Sequence, residues 1–212
     1  MGCITQGHAI SCGDRNRRGG IKRIFLAETD GITYGNIAVD GTSGMIDQFT
    51  ASPVMEFEFE RETAGFSANA TRENGSTLVD VELTFYLPKI TQEVADRLNQ
   101  LHCACGVVAI VETFADDADA SNPQTYFFAL GWDQVFGKDA FLEFASGDMQ
   151  SGVALQDANG TQVTLSGRMG EYPYEINATV LESGTPSAGQ VGIVRHTDFT
   201  ASNLVHFITY TA

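Results

Sequence analysis

Residues 54–87 read VMEFEFERETAGFSANATRENGSTLVDVELTFYL, and this stretch indicates the kind of sheet that the chain forms. In a first run, residues 55–60, Met and Phe alternate with Glu. In a second run, residues 79–85, Val, Leu and Phe alternate with Asp, Glu and Thr. Because successive side chains on a strand point to opposite faces, both runs predict half-buried strands of an antiparallel sheet.

A tight turn is predicted between the two runs, at Glu73-Asn74-Gly75-Ser76. Asn-Gly is a strong turn signal because both residues tolerate positive φ. We therefore expect the two acidic runs to lie as neighbouring strands, with residues 65–71 between them as a further strand or a projecting loop.

The outward positions of the two runs are almost purely acidic, although like charges opposite one another destabilise a sheet. One interpretation is a solvated face on an acidic protein. The other is a surface built to repel a second polyanion. The outward acidic residues are Glu56, Glu58, Glu60, Asp80 and Glu82.

Length and composition indicate a globular chain. Its 212 residues and 22.8 kDa fit one domain with extensions, or one domain plus a small satellite. A chain of this size buries about 70% of its unfolded surface, so it needs no disulfide or metal to form a core. No run of about 18 apolar residues predicts a membrane span, and the first 20 residues lack the apolar centre of a secretory signal.

The net charge of −15 is unevenly distributed. Residues 1–23 carry five of the twelve basic groups against one acid, Asp14. This asymmetry predicts a basic arm that docks on an acidic body, either its own or a neighbour's. A nucleic-acid arm is the alternative, but the arm lacks interleaved aromatics and the body would repel DNA. The five basic residues are Arg15, Arg17, Arg18, Lys22 and Arg23.

The chain divides into three parts by composition: an N-terminal arm of residues 1–20, a β domain of residues 21–172, and a C-terminal extension of residues 173–212. One helix is predicted at about residues 91–102, where Thr91 can cap the first turn and Val94, Leu98 and Leu101 form an apolar stripe. The continuous apolar run of residues 106–114 predicts a central strand.

The cysteines and histidines suggest a zinc site by residue type but not by spacing, because paired C-x₂₋₄-C knuckles are missing. A Cys3–Cys12 disulfide is an alternative, although thiols in a chain without a secretory signal are more often reduced. We therefore predict no metal. The residues considered are Cys3, His8, Cys12, His102, Cys103 and Cys105.

No catalytic pattern stands out, and we predict that the chain is not an enzyme and needs no cofactor. It has no Gly-x-Ser-x-Gly elbow and no Gly-rich phosphate loop before a helix. The acidic loop at residues 116–119 lacks the twelve-residue calcium pattern, which favours a solvated loop.

The order of elements is a long acidic hairpin, one amphipathic helix, two apolar strands and a closing hairpin. Together with two short sequence motifs, this order resembles the tail-tube and related virion structural proteins of tailed bacteriophages over roughly residues 1–170. The first motif consists of Cys3, Gly7, Cys12 and Gly19-Gly20-Ile21 at this spacing. The second is the run Arg72-Glu73-Asn74-Gly75-Ser76.

The resemblance implies a mainly β chain, an antiparallel β-sandwich or barrel with one flanking helix. It further implies hexameric rings that stack around a channel for DNA, in a virion tail assembled in the host cytoplasm. The partners are other copies of the chain, other tail proteins, and DNA that passes without specific binding; no membrane is involved. Ring closure also suits exposed edge strands, which are a hazard for a monomer.

Residue roles follow from the resemblance as hypotheses. A lumen lined by Glu56, Glu58, Glu60, Asp80 and Glu82 would repel phosphate and let DNA slide. Contacts between subunits and rings would come from the basic arm and from the segment around Phe66 and Asn74. In full, the contact residues are Arg15, Arg17, Arg18, Lys22, Arg23, Phe66 and Asn74.

Two competing functions are a different virion ring, such as a head–tail connector or tail terminator, and a carbohydrate- or receptor-binding β-sandwich. The second should present an exposed aromatic cluster, with Trp132, Tyr172 and Tyr174 as candidates.

Overall fold

The computed structural model shows a mainly β chain with one helix, and its sheet curls into an open half-barrel. This confirms the predicted fold class. The structure describes residues 19–73, 75–114, 126–152, 159–181, 191–195 and 204–209. In these parts of the chain, no helix is long and apolar enough to cross a membrane.

The first strands are β1 (Ile21–Glu28), β2 (Ala38–Val39), β3 (Ile46–Gln48), β4 (Ala51–Phe57), β5 (Gly65–Glu73), β6 (Ser76–Pro88) and β7 (Val107–Thr113). The later strands are β8 (Tyr126–Leu130), β9 (Leu142–Gln150), β10 (Gly160–Met169), β11 (Tyr174–Ile176), β12 (Ala178–Leu181), β13 (Val191–Arg195) and β14 (Leu204–Thr209). The helix, α1, is Gln92–Cys103, and single 3-10 turns lie at Thr29–Gly31, Tyr34–Asn36 and Gly137–Asp139.

The sheet consists of one long path with a branch at β7. The path runs β12-β13-β14-β4-β1-β7-β8-β11-β3-β2, and the branch runs β9-β10-β6-β5. We call β4, β1, β7 and β8 the central sheet, and β5, β6, β10 and β9 the branch sheet. A single residue pair, Val107 with Leu142, joins them.

The central sheet is buried on both faces. On β1, Ile24 and Leu26 contact the first core, which lies between the central sheet, the branch sheet and α1. Phe25 and Ala27 contact the second core, on the opposite face of the central sheet. A strand that is covered on both sides reads as a continuous apolar run, as strands inside layered sheets do.

The branch sheet is buried on one face only. Its longest strand, β6, turns Val81, Leu83 and Phe85 into the first core, where all three are fully buried. Asp80 and Glu82 lie on the opposite face. The alternation predicted for residues 79–85 is therefore confirmed.

Helix α1 covers one side of the first core, as predicted. The Thr91 hydroxyl accepts a hydrogen bond from the Val94 N–H at 3.3 Å, so the cap is the expected one. Leu101 is buried in the first core, and Val94 and Leu98 pack against it half-buried. The apolar stripe of the helix thus contacts the sheet.

The prediction that the two acidic runs are neighbouring strands is wrong. The first run belongs to β4, which pairs with β1 and β14, whereas β6 pairs with β5 and β10. Strands β5 and β6 pair up to Glu73 opposite Ser76, and Gly75 has φ +85°. Residues 65–73 form a strand of their own, β5, which is separated from β6 by only two residues. Closing so short a loop costs less entropy than pairing β6 with the more distant β4, so β5 takes the position beside β6.

Strands of the C-terminal part hydrogen-bond into the same sheet. Tyr174 on β11 pairs with Ala129 on β8, and Ile176 pairs in parallel with Ile46 on β3. Strand β14 pairs with β4 and thereby covers the outer edge of the central sheet. The predicted N-terminal arm, apart from Gly19 and Gly20, lies outside the described residues.

Candidate functional site

The candidate functional site is the face of the branch sheet that points away from the first core; we call it the polar face. The register across the four strands places Ser67 beside Glu82, Glu82 beside Ser166, and Ser166 beside Glu143. Because residues paired across strands share a face, these four side chains form one row that crosses the whole branch sheet.

A second row contains the one ion pair of the polar face among the described residues. Asn69 lies beside Asp80, and Asp80 beside Arg168. The Arg168 Nε donates a hydrogen bond to Asp80 Oδ1 at 3.0 Å. Both side chains are exposed, 74% and 49%, so the pair contributes little to stability and remains available to solvent or a partner.

Negative charge dominates the polar face. Asp148 on β9 pairs with Gln162 on β10, which places its carboxylate on the same side as Glu143. Of the residues described on the strands of this face, four are acidic, Asp80, Glu82, Glu143 and Asp148, and one is basic, Arg168. An array with this imbalance repels polyanions at short range.

The polar face is shaped as a groove of about 500 Å³, with Asp139 and Phe141 along one side. By register, Gly167 shares the core side of β10 with Val81 and Leu142. A Cβ at Gly167 would overlap the carbonyl oxygen of Phe141, so only glycine fits at this position of β10.

Both outer strands of the branch sheet have an open edge within the described residues. Strand β5 pairs with β6 alone, and β9 pairs with β10 and, through Leu142 only, with β7. Residues 145–150 of β9 are all exposed. Unpaired edges of nine-residue strands are templates for adding another strand.

Of the predicted lumen residues, the structure brings Asp80 and Glu82 together but not Glu56. On β4, Phe57 packs on the first core, 5.9 Å from the ring of Phe85, and Glu56 therefore points to the other side of the central sheet. Since the first core lies between the two sheets, Glu56 and Glu82 point in opposite directions.

The other two predicted lumen residues follow the end of β4. Glu58 and Glu60 are both exposed. The Glu60 N–H donates to the carbonyl oxygen of Tyr86 at 3.3 Å, which places Glu60 beside the end of β6. Glu60 is therefore adjacent to the branch sheet.

Lys22 and Arg23, predicted as contact residues, engage a buried carboxylate within the chain. The Lys22 Nζ lies 2.7 Å from Glu112 Oε1, and the Arg23 Nε lies 3.1 Å from Oε2 without the alignment of a hydrogen bond. The Glu112 side chain is 2% exposed. Two cations therefore compensate a charge that would be costly to bury alone.

Phe66, the other described contact candidate, lies on the core side of its strand. It is half-buried, packs against the first core, and its ring centroid is 5.9 Å from that of Phe128. The remaining candidates, Arg15, Arg17, Arg18 and Asn74, lie outside the described residues.

The three aromatic residues of the competing carbohydrate hypothesis do not form an exposed platform. Trp132 is buried, with its ring 5.8 Å from Tyr174. The Tyr174 hydroxyl donates to Glu171 at 2.6 Å, and burial together with this carboxylate raises the pKa of Tyr174 to about 12. Only Tyr172, 60% exposed, presents its ring to solvent.

Of the residues of the zinc interpretation, the structure describes His102, Cys103 and Cys105, which lie at the end of α1. Cys103 and Cys105 are exposed free thiols, and the His102 ring contacts Phe144 at 5.8 Å. In the described parts, no three His, Cys, Asp or Glu side chains are grouped to hold a metal ion. Cys3, His8 and Cys12 lie beyond those parts.

Sequence reasoning missed Glu143, Asp148 and Arg168 as members of the polar face. A register shift near Thr164 on β10 changes which residues of β9 share a side, so simple alternation does not identify Glu143 and Asp148. Arg168 alternates regularly on β10, and its place beside Asp80 follows from the pairing of β10 with β6. Comparisons of the chain with family models, with curated proteins and with solved structures find no match.

Proposed function

We propose that this chain is a tail-tube subunit of a tailed bacteriophage, a structural virion protein that forms stacked hexameric rings around a DNA-conducting channel. One observation carries the proposal: within the described chain, a four-stranded antiparallel sheet has two open edges and presents a polar face on which the described acids outnumber bases four to one. It acts with other copies of itself and other tail proteins, without enzymatic activity or a membrane.

Ring closure uses the open edges. Strands β5 and β9 are nine residues each, and they lie on opposite sides of the branch sheet. Pairing β9 of one copy with β5 of the next satisfies both rows of backbone groups and repeats head to tail, which closes a ring when the rotation suits.

The number of strands is compatible with a wide channel. Six copies of a four-stranded sheet supply about 24 strands; at a spacing of about 4.8 Å and a tilt of about 40°, the barrel is roughly 48 Å across between backbones. Barrels of about 16–18 strands already enclose water, so a duplex has room after side chains are included.

The polar face suits the wall of such a channel. DNA carries a negative charge about every 1.7 Å, and the Debye length is about 8 Å at physiological salt. Repulsion by Asp80, Glu82, Glu143 and Asp148 therefore acts only when DNA approaches the wall, and it prevents adhesion there. The proposal retains Asp80 and Glu82 as lumen residues, adds Glu143 and Asp148, and leaves out Glu56.

Electron microscopy of the purified protein tests the proposal. We expect rings or short tubes with six-fold averages. Met149→Lys adds a charge to the exposed edge strand β9 and should reduce ring yield severalfold. Gln162→Lys, an exposed position on the inner strand β10, is the matched control and should leave ring yield unchanged.

The same images separate the competing functions. Single rings that never stack would favour a connector or terminator role. A monodisperse monomer at every concentration would contradict ring assembly, and a monomer that retains a glycan would favour carbohydrate binding.

A further inference from the structure

A groove outside the polar face separates α1 from strands β1 and β4. It has a volume of about 400 Å³. Apolar side chains dominate its lining, and one of them, Met55, is 36% exposed. The larger apolar lining residues include Leu26, Met55, Phe57, Leu87, Val94 and Leu101. An apolar groove that stays open to solvent is typical of a site that receives a partner segment.

The charged residues around this groove are mostly acidic. Apart from Glu56, which points to the other side of the central sheet, three glutamates and one arginine line it, and Arg97 Nη2 lies 4.0 Å from the Glu93 carboxylate on the same face of α1. The rim therefore keeps a negative excess after this pair is formed. The three glutamates are Glu28, Glu58 and Glu93.

The N-terminal segment has the complementary chemistry. Residues 1–18 carry three arginines against one acid, with Ile4 and Ile10 as apolar residues upstream of the charges. Of the five basic residues among residues 1–23, Lys22 and Arg23 are engaged with Glu112, and the other three are the arginines of this segment. They are Arg15, Arg17 and Arg18.

We propose that residues 1–18 of one copy dock in this groove of a neighbouring copy, with their arginines at the glutamate rim and their isoleucines on the apolar lining. The inference rests on the self-assembly proposed above and names a second contact, distinct from the sheet edges. A segment with both apolar and basic residues would thus bind an apolar groove with an acidic rim, which is a common mode of peptide recognition.

At the Glu28 end of the groove, distance along β1 favours a neighbour over the same chain. Glu28 lies seven residues beyond Ile21, roughly 23 Å along the strand. The Gly20 carbonyl accepts a hydrogen bond from the Phe114 N–H at 3.3 Å, so the chain at Gly20 still runs away from the Glu28 end. Arg17 and Arg18 precede Ile21 by only four and three residues, at most roughly 14 Å of extended chain. Their extended backbone therefore falls short of Glu28 of their own copy, although it can reach the Phe57 end of the groove, because Phe57 pairs with Ile24.

Native thiols supply a test in the full-length protein. Cys103 and Cys105 are exposed, free, and flank Ala104, which lines the groove. Gly106 accepts a hydrogen bond from the Thr29 N–H at 3.1 Å, so these thiols stand at the Glu28 end. Residues 1–18 carry Cys3 and Cys12. A short bismaleimide applied to a mixture of isotopically heavy and light protein, followed by mass spectrometry, reports which copies are joined.

We expect heavy–light cross-links between Cys3 or Cys12 and Cys103 or Cys105, weakened by high salt. The double variant Glu28→Lys with Glu93→Lys should reduce them about fivefold or more. Asp96→Lys, on the same helix but outside the groove lining, is the matched control and should leave them unchanged.

Cross-links found only within one isotope would overturn docking on a neighbour, and so would their absence. Micrographs of the same samples keep the two proposals separate. Rings without these cross-links would reject the docking and leave ring assembly standing. Heavy–light cross-links in a sample without rings would support the docking and count against the tube.

Discussion

The central sheet and the branch sheet share the first core but differ in what lies on their other faces. On β1 of the central sheet, four consecutive residues, Ile24 to Ala27, are buried because a second core covers the far side. On β6 of the branch sheet, burial alternates and the far side is acidic. The central sheet is therefore a scaffold, and the branch sheet combines support with a free surface.

The edges of the two sheets also differ, because further strands flank the central sheet but not the branch sheet within the described chain. The central sheet continues into β14 at one edge and β11 at the other. The branch sheet ends, within the described chain, at β5 and β9. One sheet is complete within the chain, whereas the other is completed, on our proposal, by further copies.

Alanine substitutions at adjacent residues, which point to opposite faces of a strand, test whether the central sheet is buried on both faces and the branch sheet on only one. On β7, Ile110 and Val111 face the second and first core, and each variant should be clearly destabilised, Ile110→Ala by about 2–5 kcal/mol. On β6, Leu83→Ala should cost about 2–5 kcal/mol, but Glu82→Ala should stay within about 0.5 kcal/mol. Urea unfolding measures all four; a Glu82→Ala cost like that of Leu83→Ala would contradict one-sided burial.

Replacing a glutamate by glutamine in each sheet compares a buried carboxylate of the central sheet with an exposed carboxylate of the branch sheet. Glu112→Gln removes a buried carboxylate from Lys22 and Arg23 and should cost about 1–3 kcal/mol. Glu82→Gln, exposed on the polar face, is the control and should be almost neutral. Equal unfolding free energies for the two variants would show that the buried ion cluster does not stabilise the scaffold.

Charge reversal on the polar face should alter DNA behaviour without altering the fold. Glu82→Lys with Glu143→Lys converts a repelling row into an attracting one, and assembled rings should retain DNA about tenfold more strongly at low salt. Co-sedimentation of rings with linear DNA measures this. The control is Glu62→Lys with Asp96→Lys, which makes the same change in net charge off the polar face; equal retention by both would reject a lumen role for the row.

The smallest expected effect lies at the edge of the central sheet, where burial raises the pKa of Glu175 on β11. A carboxyl whose pKa is raised in the folded state stabilises the protein at low pH and loses this contribution as pH rises through that pKa. Glu175→Gln should therefore match the parent below about pH 4 and exceed its stability by a few tenths, about 0.3 kcal/mol, at pH 7. Thermal unfolding at the two pH values measures the difference; a larger gain at low pH would contradict it.

The periodicity of apolar residues predicted the features that depend only on neighbouring residues in the chain. The alternation on β6, the cap and stripe of α1 and the buried run of β7 are set by neighbours in the chain, and all are observed. The partner of β4 is not local, because β1 and β14 come from distant segments. Periodicity therefore found an acidic outward run on β4 but not the side of the molecule to which it points.

The candidate site was predicted in part for the same reason. Asp80 and Glu82 follow directly from alternation, whereas Glu143 and Asp148 depend on a register shift between β9 and β10. Lys22 and Arg23 look like part of a basic arm in the sequence, and only the pairing of β1 with β7 brings them to Glu112. Charge composition identified these residues, but tertiary pairing determined their partners.

Cryo-electron microscopy of the assembled protein tests the central claim most directly. We predict a closed ring in which β9 of one copy pairs with β5 of the next, and in which Asp80, Glu82 and Glu143 line the channel. A ring with these carboxylates on its outer wall, or a protein that stays monomeric at every concentration, would contradict the account.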